Sequence, residues 1–424
     1  MEDEWDDDVL HAEVQMLEAR HASSATAAKK RGRVSAPLVP KAKRRKTQEP
    51  QGPGADGGVT VQTVAASIPA PLSLPMPPGG VIRVGTECSG MESVSMALKN
   101  LGILGRCSLE FCCEIDKWCR SFIWQNHSPK VMLNDITCRD PATTPPCDLY
   151  VAGFPCQPFS RAGLMEGTED SKGRGNIFEH VLSYLQVHRP RAVILENVEG
   201  LCAKRFADTL NGMLQSLMDI KCIDGQPYYL VSKRLVDTSA WGLPQKRRRL
   251  YIICMSRRAI DKHKPFMWPR RSAASTSRHI DDILQSRRGG PAELKALGPK
   301  CSAKLVAYLD TLRARGHDPD VDTWIINVFG GYQPHGMKNV CPCLTRGRAG
   351  SGGHWVSTRR RLLTIDEMLT LQGIPADVHR KGISNRQVGY MIGNAMSVNV
   401  LERLLLRLLP GVGLLPERPR DRWA

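Results

Sequence analysis

The sequence contains no run of the roughly 18 to 20 apolar residues that spans a bilayer, so it predicts no membrane segment. Its opening, Met1-Glu2-Asp3-Glu4-Trp5-Asp6-Asp7-Asp8, carries acids where a secretory leader carries a basic and then an apolar stretch, which predicts a protein that stays inside the cell. Paired Cys-x2-Cys hooks of the zinc-binding kind are missing too. The closest groupings among the 14 cysteines are Cys112-Cys113 and Cys341-Pro342-Cys343, so no metal is expected. In a reducing compartment those thiols stay free, which argues against a disulfide framework. The first strand–helix turn, Glu87-Cys-Ser-Gly-Met-Glu-Ser-Val94, has no Gly-x-Gly-x-x-Gly, and so lacks the usual dinucleotide turn of a nicotinamide dehydrogenase.

What the chain has in excess is positive charge. Its 59 Lys and Arg outnumber 42 Asp and Glu, giving +17, and such a balance favours a polyanionic partner through release of condensed counterions. Part of this charge sits in residues 1–78, an Ala/Ser, Lys/Arg and Pro/Gly-rich tail that cannot bury enough apolar surface to offset its ordering entropy. The clusters Lys29-Lys30-Arg31-Gly32-Arg33 and Lys41-Ala42-Lys43-Arg44-Arg45-Lys46 have the layout of a bipartite nuclear localisation signal, or of a basic arm lying on nucleic acid. The first reading predicts a nuclear protein.

From Val81 the texture changes to short apolar runs alternating with helical patterns. Strands are expected at 81–86, 109–115, 149–152, 192–195 and 250–254, with helices at 91–101, 116–127, 177–187 and 206–218. Successive βα units of this length predict an α/β fold with a doubly wound, mostly parallel sheet. The division expected is a catalytic and cofactor-binding domain at 79–255 and a small variable lobe at 256–340. A segment at 341–410 then returns to the catalytic domain, and a tail runs from 411 to 424.

Two apolar strands run directly into reactive groups. Val151-Ala-Gly-Phe-Pro-Cys156-Gln-Pro brings a thiol, and Ala192-Val-Ile-Leu-Glu196-Asn197-Val198 brings a carboxyl and an amide, to strand ends where open α/β folds bind ligands. The prolines at 155 and 158 restrict the loop around the thiol. A third run, Trp241-Gly-Leu-Pro-Gln245-Lys-Arg247-Arg-Arg249, alternates Gln, Arg and Arg on one face of an extended segment.

Together, Phe154-Pro-Cys-Gln157, Glu196-Asn-Val198 and Gln245-x-Arg-x-Arg249, in this order and spacing, resemble the catalytic motifs of the cytosine-C5 DNA methyltransferase family. The resemblance covers about residues 81–255 and 340–408. It implies the methyltransferase form of the α/β fold with a variable target-recognition lobe, S-adenosylmethionine as methyl donor, and DNA as partner. It also implies the roles. Cys156 adds as a thiolate to C6 of cytosine, Glu196 balances the charge that develops by holding a proton at N3, and Asn197 fixes that geometry. Arg247 and Arg249 meet the base at O2 and the adjoining backbone. The target base has to be flipped out of its duplex for C6 to reach a thiolate.

For the cofactor, the resemblance assigns Ser89, Gly90, Ser93 and Val94 by their offset from Ser-Gly. Glu114 is assigned to the ribose, with Ile115 next to it also cofactor-binding, Asp135 and Ile136 to the adenine, and Asn394 and Met396 to the last motif, Gln387-Val-Gly-Tyr-Met-Ile-Gly-Asn-Ala-Met-Ser-Val398. The first turn, Gly85-Thr86-Glu87 followed by Met91-Glu92-Ser93, departs from the family's Gly-richer form. Two other readings stay open on the sequence: a methyltransferase of transfer RNA, although the Cys-Phe-Thr signature of that branch is not found in the variable region, and an inactive nucleic-acid-binding regulator, although the nucleophile and both arginines are present.

Overall fold

A computed structural model describes residues 80–155, 177–261, 263–329 and 334–424. The basic clusters of the N-terminal tail and the nucleophile candidate Cys156 lie outside the described residues. The first half of the described chain runs β1 (Ile82–Glu87), α1 (Ser93–Asn100), β2 (Cys107–Cys113), α2 (Lys117–Asn126), β3 (Val131–Leu133), β4 (Leu149–Ala152), α3 (Ile177–His188), β5 (Ala192–Val198), α4 (Ala207–Met218), β6 (Tyr229–Asp237), β7 (Gln245–Lys246) and β8 (Arg248–Ser256).

Seven of these strands form one sheet in the order β3-β2-β1-β4-β5-β8-β6. The pairs from β3 to β5 are parallel, and β8 runs antiparallel to both of its neighbours. Strands β4 and β5 are buried along their whole length, as expected where helices cover both faces of a parallel sheet. The strand order reverses between β1 and β4, so a crevice opens there at the carboxyl ends of the strands. The doubly wound fold expected from the sequence is present.

Boundaries moved where local chemistry outweighs periodicity. Strand β2 ends at Cys113, leaving Glu114 in the turn before α2. There Asp116 caps the helix by accepting from Trp118 N at 2.8 Å. Strand β3 likewise ends two residues before Asp135. Strand β6 was not anticipated. It is an edge strand whose Ser-Lys-Arg centre breaks the apolar run.

The chain continues through α5 (Pro291–Ala296), α6 (Pro299–Ala314), β9 (Trp324–Asn327), β10 (His335–Lys338), β11 (Cys341–Pro342), α7 (Arg346–Gly350), β12 (Trp355–Val356), β13 (Arg361–Leu362), α8 (Ile365–Leu371), α9 (Asn385–Asn394) and α10 (Val398–Gly411). A second sheet, β10-β9-β12-β13, closes on Leu305, Ile326, Val328 and Trp355. This lobe draws two strands from beyond residue 340, because β12 pairs with β9 (Trp355 with Ile326). Two-residue strands leave no period-2 signal to read. Meanwhile β11 returns to the catalytic half by pairing with β7. Glu367 anchors the crossing: it closes the capping box of α8 with Thr364, binds Arg361 at 2.7 and 2.9 Å, and accepts from Gln285 N at 2.7 Å.

Residues 411–424 are not a loose tail, since Leu414, Leu415 and Trp423 are buried. Among the described residues no helix is long and apolar enough to cross a membrane.

Burial also makes stability depend on pH. His354 is 1% exposed, with Nε2 3.2 Å from the Pro342 carbonyl, and burial pulls its pKa from 6.5 down to about 4. A depressed folded pKa means stability that is fully present above pH 6.5 and lost as pH falls through 4. This one group is expected to remove about 3 kcal/mol over that window. Urea denaturation at pH 7 and pH 4.5 checks it, and His354→Gln should flatten part of the difference.

Candidate active site

The crevice at the strand ends holds a cavity of about 620 Å³. One of its walls starts from sheet register. In the antiparallel β5–β8 pair, Glu196 faces Tyr251 and Val198 faces Arg249, so Glu196 and Arg249 are diagonal neighbours on one face, within reach of a long side chain. Arg249 Nε stands 3.3 Å from Glu196 Oε1. Burial raises the Glu196 pKa above the usual carboxylate value, and the adjacent Arg249 and Arg247 oppose the rise without cancelling it.

Arg247 is placed differently. Its Nη1 donates to the carbonyls of Leu344 (3.0 Å) and Gly393 (3.3 Å), and its Nη2 to those of Gly393 (3.3 Å) and Ala395 (2.8 Å). Gln372 adds a second clamp, donating to Ala395 O at 2.7 Å, and Gln245 Nε2 in turn donates to Gln372 at 2.7 Å. The Gln-x-Arg-x-Arg run therefore splits in function along its own length. Gln245 and Arg247 lock the last motif onto the sheet, whereas Arg249 turns to Glu196. Arg247 Nε and Asn197 Nδ2 are buried without a hydrogen-bond partner among the described residues. A buried donor left open in this way costs stability unless a bound molecule completes it.

On the other wall, Glu114 accepts from Gly90 N at 2.8 Å and from Asp116 N at 2.9 Å. Beside it Ile115 is 71% exposed, an apolar side chain directed away from the core. Asp135 accepts from Thr137 N and Oγ1, both at 2.8 Å, which fixes the turn after β3. Together with Ile136 and Asn394 these residues line the same cavity as Glu196 and Arg249. One side offers a carboxylate and apolar groups suited to a nucleoside, the other a carboxyl–guanidinium pair.

Several expected residues stand behind the wall rather than on it. Ser89 stitches β1 to β2 through its hydroxyl, accepting from Cys113 N at 3.2 Å, while Ser93 and Val94 are buried in α1. Asn197 is buried beneath the wall, and its Oδ1 accepts from Val198 N at 2.9 Å. A Cβ added to Gly153 would stand 3.2 Å from Met396 Cε and 3.7 Å from Glu196 Oε2, so Met396 and the Glu196 carboxyl both approach Gly153. The lining also includes residues the sequence did not single out, among them Cys88, Pro155, Arg346 and Tyr390. Tyr390 was findable as a helical neighbour, three residues before Gly393. Arg346 sits 4.8 Å over its ring.

The atypical first turn has its own internal support. Glu92, fully buried in the left-handed conformation, caps α1 by accepting from Ser95 N at 3.2 Å and also binds Thr86 Oγ1 at 2.6 Å. It holds by side-chain bonds a turn that the family builds from glycine.

Helices α7 and α9, which carry Arg346 and Tyr390, meet through glycine. A Cβ on Gly393 would fall 2.3 to 2.4 Å from backbone atoms of Thr345 and Arg346, which have no freedom to move aside. Gly393→Ala is expected to cost about 1–3 kcal/mol and to weaken cofactor binding, because the two helices must part. Urea denaturation and a cofactor titration check both effects; an unchanged midpoint contradicts the packing argument.

A family model described as C-5 cytosine-specific DNA methylase matches residues 87–409. The Type II methyltransferase M.NgoBI of Neisseria gonorrhoeae is 31% identical over 314 residues, 74% of this chain and 89% of that protein. The Type II methyltransferase M.HaeII of Haemophilus aegyptius is 31% identical over 330 residues, 77% and 88% of the two chains. The chain belongs to the C-5 cytosine-specific DNA methylase family. Solved structures share the fold. The S. pombe Dnmt2 methyltransferase aligns with TM-score 0.52 at 17% identity over 78% of this chain and 99% of its own. The Entamoeba histolytica methyltransferase EhMeth gives 0.53 at 14% identity over 78% and 98%.

Family membership makes the chain a DNA cytosine-5-methyltransferase with S-adenosylmethionine as methyl donor. The cavity fits that donor, since it joins the Glu114 carboxylate and the exposed Ile115 to the Glu196–Arg249 pair in one continuous space.

Proposed function

We propose that the enzyme methylates cytosine in DNA through a covalent adduct between the Cys156 thiolate and C6 of a base flipped out of the duplex. The observation that carries this reading is the buried Glu196–Arg249 pair on a cavity wall that also includes Pro155, the residue bonded to Cys156 in the chain. S-adenosylmethionine supplies an electrophilic methyl group at its sulfonium.

Glu196, whose proton burial holds more tightly than in a free carboxyl, donates it to N3 as the thiolate adds to C6, so the ring does not accumulate negative charge and C5 becomes nucleophilic. C5 takes the methyl group. It then loses its proton to water, the S–C6 bond breaks to return the thiolate, and N3 gives its proton back to Glu196, leaving the neutral 5-methylated, aromatic ring. Arg249 orients the Glu196 carboxyl and reaches O2 of the cytosine. Arg247, whose terminal nitrogens are committed to carbonyls, shapes the part of the pocket wall that it lines, and Asn197 supports the Glu196 strand end from beneath.

On the donor side, Glu114 takes the ribose hydroxyls and Ile115 with Ile136 the adenine face. Asp135 lies at the adenine edge, and Asn394 at the amino-acid end. Gly90 contributes close backbone, while Ser89, Ser93, Val94 and Met396 support these contacts from behind. The lobe built from α5, α6 and the β9 sheet is the natural place for sequence choice, and the basic clusters at 29–46 support nuclear import. The test is transfer of labelled methyl to duplex DNA and, in parallel, to transfer RNA, with hydrolysed products resolved. Label in 5-methylcytosine from DNA is expected; label only in RNA, or in neither, sinks the proposal.

A further inference from the structure

The last residues of the chain hold the turn that enters the arginine strand. Trp241-Gly242-Leu243-Pro244 leads directly into β7 and β8, and Gly242 has φ +107, a conformation open to glycine. Against its bare Cα lies the indole of Trp423. A Cβ on Gly242 would come 2.2 to 2.9 Å from three ring atoms, so the ring occupies the space where a side chain would stand.

Trp423 is itself tied down on every side. Its Nε1 donates to Glu402 at 2.9 Å, and its carbonyl accepts from Thr276 at 3.1 Å. Arg422 makes a two-point contact with the same Glu402, at 2.7 and 2.8 Å. One residue on in α10, Arg403 binds Asp421 at 3.1 Å and stacks over the Trp241 ring at 5.4 Å. The main chain of the turn is fixed as well: Asn399 Nδ2 donates to Trp241 O at 2.8 Å and Arg278 N to Gly242 O at 2.9 Å. Glu402 and Arg403 are 1% and 2% exposed, and hydrogen-bonded charges this deeply buried hold one geometry or pay heavily for leaving it.

We infer that Trp423 is a positioning residue for methyl transfer: it clamps the Gly242 turn and so sets where Arg249 stands relative to Glu196. This rests on the proposed roles of those residues. Trp423 is not among the residues lining the cavity. Loss of the ring should therefore affect chemistry and leave the cofactor site in place.

The test uses the full chain with Trp423→Ala, Trp423→Phe and, as a destabilising control in the same buried segment, Leu415→Ala. In single-turnover assays at saturating cofactor, Trp423→Ala is expected to slow methyl transfer tenfold or more with cofactor Kd changed less than twofold. Trp423→Phe, which keeps an aromatic face on Gly242, should recover most of the rate. Leu415→Ala should lower Tm without that loss of rate. Amide hydrogen exchange gives an arm independent of substrate: residues 239–249 should exchange at least tenfold faster in Trp423→Ala, with 107–113 unchanged.

A wild-type rate in Trp423→Ala, equal slowing in Leu415→Ala, or unaltered exchange at 239–249 overturns the inference. If the wild type makes no 5-methylcytosine, the substrate reading fails, and exchange alone decides the clamp. Should Trp423→Ala not fold, Trp423→Leu reads the same quantities.

Discussion

Cys156→Ala is expected to reduce methyl transfer by at least about a thousandfold, equivalent to about 4 kcal/mol in the barrier, while cofactor affinity stays within about twofold. C5 of cytosine is too poor a nucleophile to take a methyl group unaided, and only addition at C6 gives it enamine character. The other thiols lining the cavity, Cys88, Cys113 and Cys119, follow β1, end β2 and lie in α2, and burial raises the pKa of each, away from the reactive thiolate. Since the donor wall is built from β1, β2 and β3, removal of one sulfur from the loop after β4 should leave it unchanged. Isothermal titration with cofactor beside a methyl-transfer assay separates the two quantities, and retained turnover in this variant contradicts the covalent route.

Glu196→Gln is expected to lower the rate of the chemical step about a hundredfold and to change its pH profile. The direction follows from burial. The raised pKa keeps the carboxyl protonated further up the scale, so the proton that N3 needs is present below the folded pKa and lost as pH rises through it. Thiolate formation gives the opposite slope at low pH, and the wild type should show a bell. In Glu196→Gln the alkaline fall should disappear while the acidic limb remains.

Stability gives a second check with its own sign. The folded state binds this proton more tightly than the unfolded chain, so wild-type stability attributable to Glu196 falls as pH rises from 4.5 through the raised value. Glu196→Gln should gain relative to wild type over the same interval.

Much of the fold was legible because its central strands are buried on both faces. Leu149–Ala152 and the Ala-Val-Ile-Leu of β5 read as continuous apolar runs, and no helix of that length competes with them. The edge strand β6 and the two-residue strands β12 and β13 were not legible: one alternates charge into its middle, and the others are too short to show a period.

At the site, Glu114, Asp135 and Glu196 were readable as polar residues at strand ends, and Arg249 from the Gln-x-Arg-x-Arg run that leads into β8. What the sequence could not express was the division of labour between Arg247 and Arg249. That depends on which carbonyls fold back over β7, and these come from Leu344, Gly393 and Ala395, roughly a hundred or more residues downstream. For the same reason Trp423 looked like part of a tail, since its partner Gly242 is far away in the chain and carries no side chain to announce a contact.

The central claim, a covalent Cys156 adduct, is tested most directly with duplex DNA in which the target cytosine carries fluorine at C5. Fluorine cannot leave as a proton, so after methyl transfer the S–C6 bond cannot be broken by the normal elimination, and enzyme and DNA should stay joined. The account predicts a denaturant-stable complex that forms only with S-adenosylmethionine present and whose modified peptide, by mass spectrometry, contains Cys156. Efficient trapping in the Cys156→Ala variant, or attachment at another residue of the wild type, would contradict it.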